Sequence, residues 1–141
     1  MHFAHTKPRI RLVATVAATL VGSGPALAHH SRAMFDMAKN VTYRGVVKEY
    51  RWQNPHSHII VTVGPDATDP STVGTWDIEA SSINIMVGEG WSRTTYRPGD
   101  PITVIGHPSK EGTKDVLLFY ALRPDGTRLG RARHRYPSEE D

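Results

Sequence analysis

The stretch VTYRGVVKEYRW, residues 41–52, alternates apolar and polar side chains and then loses step around a glycine. Val41 and Tyr43 share one face. After the slip around Gly45-Val46-Val47, the positions in step are Val46, Tyr50 and Trp52. Alternation is the period of a half-buried strand, and a glycine at a phase slip marks a bulge or a sharp bend. A long strand bent in this way can serve both halves of a rolled-up sheet.

Four more strands follow, each bounded by turn residues. Gln53-Asn54-Pro55 makes a turn, because Asn favours turns and Pro disfavours helix before it. HSHIIVTV (56–63) resumes alternation with Ile59, Val61 and Val63 on one face. GPDATDPSTVG (64–74) is a loop by composition. TWDIEA (75–80) puts Trp76, Ile78 and Ala80 on one side and Thr75, Asp77 and Glu79 on the other. Ser81 or Ser82 can cap a short helix carrying Ile83, Ile85, Met86 and Val87, which ends near Gly88–Gly90. YRPGD (96–100) is a turn, PITVIGHP (101–108) and DVLLFYALR (115–123) are strands, and RPDG (123–126) turns again. No internal repeat is present.

Three strands, a helix, then two strands predict an all-β domain with one short helix. A long bent first strand and a helix between strands three and four are the marks of a five-stranded, partly open barrel like the oligonucleotide/oligosaccharide-binding (OB) fold. An immunoglobulin-like sandwich would need about seven strands.

The first 28 residues read as a signal peptide. Lys7, Arg9 and Arg11 form a positive head, an apolar run spans Leu12 to about Val21, and Ala26-Leu27-Ala28 supplies an A-x-A exit. The run is too short for a bilayer, which needs about 20 residues. Cleavage after Ala28 leaves 113 residues: an N-terminal arm (29–40), an OB-like domain (41–130) and a polar tail (131–141) expected to be disordered. The expected location is the periplasm.

The formal charge of +3 belongs to the precursor. Three of its 17 Lys and Arg precede the cut and all 14 acidic residues follow it, so the remainder carries 14 of each sign. Net charge therefore argues for no nucleic-acid partner and no anionic membrane. The chain has no cysteine, which excludes thiolate metal sites, cysteine nucleophiles and disulfides. No stretch after residue 28 is long and apolar enough to form a transmembrane segment.

HHS at the mature start, WQNPHS (52–57), GW (90–91), PGD (98–100) and PDG (124–126) together resemble a family of small exported bacterial proteins known only as a domain of unknown function. The resemblance runs from roughly residue 29 to 130. It implies a single exported β-rich domain and carries no assigned activity.

Six histidines lie after the cut: 29, 30, 56, 58, 107 and 134. His29 would stand first, so its α-amine and its ring could chelate one metal ion. Both groups shed protons at modest cost near neutrality, with pKa values of about 8 and 6.5. A further imidazole completes a three-nitrogen site suited to Cu(II), which heads the divalent affinity order. His56 and His58, two apart on a strand, project together and make a workable pair for copper or zinc. His30 is a nearby alternative and His107 a further candidate at the end of strand four. Met34 and Met37 offer soft thioethers for Cu(I).

Each residue also has an ordinary use. His29 and His30 can be passengers in an arm, His56 can support the Asn54-Pro55 turn, and His58 can face solvent. His107 can be a hydrogen-bonded structural histidine. Met34 and Met37 with Phe35 can pack the arm onto the barrel, and Trp52, Trp76 and Trp91 belong to the core or its rim. His134 receives no role. Asp77 and Glu79 could act as a carboxylate pair, or serve solubility on an outer face. The serines lack a G-x-S-x-G elbow, and VGEGW lacks the Lys and Ser/Thr of a phosphate loop, so no catalytic residues are assigned.

The sequence thus predicts a periplasmic barrel that binds copper, with zinc as the alternative, through His29 and one or more of His30, His56, His58 and His107. The competing expectation is a metal-free binding module for an oligosaccharide, peptide or protein, served by exposed aromatics such as Tyr43, Tyr50 and Tyr96. A metal-dependent enzyme is a third.

Overall fold

The computed structural model describes Met1 and residues 30–130. Residues 2–29, which hold most of the expected signal peptide and His29, and the tail from residue 131 fall outside the described residues. The elements are α1 (His30–Ala33), β1 (Val41–Arg51), β2 (His58–Val63), β3 (Gly74–Glu79), α2 (Ile83–Gly88), β4 (Pro101–Pro108), β5 (Asp115–Leu122) and β6 (Arg128–Gly130).

β1 is the hinge of the sheet. Its first half, Val41–Val46, pairs antiparallel with β4, and its second half, from Val46 on, pairs with β2. Val46 faces Pro101 on one side and Thr62 on the other, so the handover occurs there. Gly45 makes it possible: a Cβ at this position would overlap the Thr62 carbonyl. The register irregularity falls between Val47 and Glu49, two residues beyond the glycine. Consequently Val47, not Val46, turns inward: Val47 is 1% exposed and Val46 45%.

β2 pairs with β3 and β4 with β5, both antiparallel, while β3 and β5 run parallel through Asp77–Asp115, Ile78–Val116 and Glu79–Leu117. This last seam closes the five strands into a barrel, where the sequence predicts a partly open one. The circuit β1-β2-β3-β5-β4-β1, with α2 between β3 and β4, is the OB arrangement. β6 is an addition absent from the sequence expectation, a three-residue strand laid antiparallel on the end of β5.

The alternating positions fill the barrel. Tyr43, Val47, Ile59, Val61, Trp76, Ile78, Val104 and Val116 form one buried cluster. The Tyr43 and Trp76 rings meet at 4.7 Å, and the buried Trp76 Nε1 donates to the Thr72 carbonyl at 2.6 Å, so the indole is buried without orphaning its donor. From α2 only Met86 enters this core, while Ile85 and Val87 stay exposed. Ser82 occupies the N-cap of α2 without making a side-chain cap bond. Asn54 Oδ1 instead accepts from the Ile83 amide at 3.0 Å.

The arm is fastened to the barrel. Phe35, 3% exposed, forms an antiparallel bridge with Ser109. The Asp36 amide donates to the Pro108 carbonyl and the Lys110 amide to the Met34 carbonyl, each at 2.9 Å. Among the described residues of the arm Phe35 is the buried one: Met34 and Met37, expected to pack with it, are 51% and 44% exposed. Among the described residues no helix is long and apolar enough to cross a membrane.

Candidate functional site

The PHSH segment owes its geometry to Ser57. This residue is fully buried; its amide donates to the Ser81 carbonyl at 3.1 Å and its carbonyl accepts from the Ala80 amide at 2.8 Å. These bonds extend the β2–β3 ladder past His58. Its hydroxyl donates to the Gln53 carbonyl at 3.2 Å, which closes the turn. With Ser57 facing inward, His56 and His58 both face outward, as alternation requires.

On that outer face the two histidines meet the two carboxylates of β3. His56 Nδ1 lies 2.7 Å from Glu79 Oε1, and His58 Nδ1 lies 2.7 Å from Asp77 Oδ1. An ionised carboxylate only accepts, so each Nδ1 carries the proton. In the neutral ring the lone pair then sits on Nε2. Arg51 adds a third neighbour: its guanidinium forks onto Glu49, with both bonds at 2.8 Å, and reaches Asp77 Oδ2 at 3.9 Å. That fork holds the Glu49 carboxyl below its usual range, chiefly through the hydrogen bonds from Arg51.

Imidazole with Nδ1 held by a carboxylate is the arrangement that orients histidine ligands in metal sites and raises their basicity. It is also the base–orienter half of a hydrolytic site, yet the neighbouring hydroxyl, Ser57 Oγ, is turned inward and engaged by Gln53. Alternation alone places the histidines and the carboxylates on different strands without joining them. Two x-spaced pairs, H-x-H and D-x-E on consecutive antiparallel strands, were the available signal.

The remaining candidates lie elsewhere. His107 shares a ladder row with His58, through Glu79 and Leu117. Three strand spacings, about 14 Å along the sheet, separate them. Its ring is nearly buried, stacks 5.6 Å from Phe119, and places Nδ1 2.8 Å from the Lys39 carbonyl, so it acts on the arm rather than beside His58. His30 begins α1. Among the described residues no group of three or more His, Cys, Asp or Glu side chains is gathered to hold a metal ion.

The aromatics named for a metal-free ligand form no exposed platform. Tyr43 and Tyr96 are 1% and 4% exposed, and burial pushes both phenols up to about 12. Tyr50 packs against the core and donates to the Ser92 carbonyl at 3.2 Å. A groove of about 490 Å3 between the start of β1 and the β2–β3 loop is lined by Asn40, Thr42, Arg44, Asp66, Asp69 and Thr72, among others, with no aromatic side chain.

The chain belongs to the Family of unknown function (DUF6152), whose model matches residues 17–118. No curated protein matches it.

Proposed function

We propose, for this member of a family without an assigned activity, an exported domain that binds a transition metal, copper first and zinc as the alternative. The carrying observation is the pair of contacts that anchor His56 Nδ1 on Glu79 and His58 Nδ1 on Asp77. Both rings are thereby oriented on one face with Nε2 as the donor atom. Two imidazoles are an incomplete set for Cu(II), which takes nitrogen donors in tetragonal geometry.

Cleavage after Ala28 would make His29 the first residue and add an α-amine and a third imidazole. The arm is fastened at Met34, and Lys110 Nζ bonds the Ala33 carbonyl at 3.0 Å. His30 is the nearby substitute donor. A protein of this kind serves as a carrier, buffer or sensor of the metal.

Calorimetric titration with Cu(II) tests the reading on three chains: one starting at His29, one with an extra residue before it, and a His56→Ala/His58→Ala double variant. Weaker binding by the second and third chains is expected. Equal affinity in the first two removes the amino-terminal role, and equal affinity in the first and third removes the barrel face.

A further inference from the structure

The outer face of β2 and β3 offers a metal two oriented imidazoles, and a closed zinc site takes four ligands. Ser57 faces inward, so His56 and His58 present both rings on that face. Glu79 and Asp77 hold the two Nδ1 atoms at 2.7 Å each. The carboxylates are thereby committed behind the rings, and the Nε2 atoms stand in front. Beyond the dyads the face is built of shorter side chains: β2 adds Ile60, and Thr62 stands opposite Thr75 with the hydroxyls 3.3 Å apart. Glu49 and Arg51 border it on β1. Three carboxylates, Glu49, Asp77 and Glu79, against one guanidinium give the face a negative charge.

We infer that a second copy of this chain supplies the other half of the site: one zinc ion joins two barrels through the Nε2 atoms of His56 and His58 from each. The inference rests on the metal-binding reading above, in its zinc form, and uses no residue of the arm. A twofold axis brings the same patch of both copies together, so a face with two donors becomes a site with four. Zinc imposes no geometry of its own and is held tetrahedrally in closed sites of four nitrogen or sulfur ligands. Two negative faces repel one another, and a dication seated between them offsets that repulsion. Association is therefore conditional on the metal. The dyads become a zinc-dependent pairing device, which gives the sensor role a structural output.

Sedimentation velocity tests this on the protein purified from its full-length coding sequence, stripped of metal and then titrated with Zn(II). The expected result is an about twofold rise in sedimenting mass, complete at one zinc ion per two chains and reversed by a chelator. His56→Ala and His58→Ala should each stay monomeric at the zinc concentration that pairs the parent. Both rings are partly exposed, so the metal-free circular dichroism of the variants should match the parent, which separates lost ligation from lost folding. A monomer that binds one zinc ion per chain overturns the second-copy inference and leaves the metal-binding reading standing. Pairing that persists in either variant overturns it as well. If a His56→Ala/His58→Ala chain binds zinc like the parent, the barrel face is no metal site, and the reading and the inference fail together.

Discussion

His58 stands opposite Glu79 in the β2–β3 register, yet its ring bonds Asp77, the next carboxylate along the same face of β3. Glu79 is thereby left to His56, which lies in the turn before the strand. The offset gives each imidazole its own acceptor and turns two alternating pairs into two parallel dyads. A histidine and a carboxylate directly opposed would have made one dyad and left His56 without its partner.

Removing one acceptor should therefore impair binding far more than folding. Asp77→Ala is expected to lower Cu(II) affinity about 10- to 100-fold, the usual effect of losing an outer-shell carboxylate. Both partners are partly exposed, so the stability change should stay within about 1 kcal/mol. Calorimetric titration and thermal unfolding of the same preparation check the two halves of this statement.

Gly45→Ala should have the opposite profile. The new methyl would overlap the Thr62 carbonyl, a backbone atom that cannot rotate away. Overpacking of this kind costs about 1–3 kcal/mol, and the upper part of that range applies where β1 changes partners. In a domain of this size the melting temperature should fall on the order of 10 °C or more, as read by circular dichroism.

Asn54→Ala should uncap α2. The Ile83 amide loses its acceptor, and loss of a helix cap costs about 0.5–2 kcal/mol. Asn54→Asp retains the accepting oxygen and should recover most of the loss. Chemical denaturation of the three chains measures the difference.

Alkaline pH should unfold the domain through its tyrosines. Burial raises Tyr43 from 10.0 to about 12, with a further push from the Asp69 charge. Burial likewise raises Tyr96 to about 12 against the opposing pull of Arg123. The folded state thus holds phenolic protons that the unfolded chain releases near pH 10. Stability from these groups is complete below that value and is lost as pH climbs through 12. Tyrosinate absorbance and circular dichroism, followed together, should change in one step. Independent ionisation of Tyr43 and Tyr96 in a still-folded chain would contradict it.

Much of the barrel was legible in the sequence because alternation and turn residues are local signals. The five strands, the helix position and the inward faces of β2 and β3 follow from period and punctuation alone. What was misread depends on partners distant in the chain. Alternation puts the slip in β1 around Gly45-Val46-Val47, but the glycine relieves a contact with Thr62 while the irregularity lies between Val47 and Glu49. Ser82 is the N-cap residue, one of the two the sequence offers, but the side chain that bonds the first helical amide is that of Asn54, distant in the chain. β6 pairs through Arg128, Leu129 and Gly130, too few residues to establish a period.

The site was legible in its parts and not in its assembly. His56 and His58 were placed on one face by alternation, and so were Asp77 and Glu79. Their meeting needed the β2–β3 register, which no single-strand pattern specifies. The methionines were misread for a related reason: Phe35 alone suffices to seat the arm beside Ser109, and the two thioethers are left facing water.

Asn54 and His56 share one tight turn, and the side chain of Asn54 is committed to the first amide of α2. That turn cannot swing outward to follow an incoming ion without baring the helix. Any movement of the imidazole at position 56 should accordingly be felt at α2 and the buried Met86 it carries, and a disturbance there should travel back to the ring.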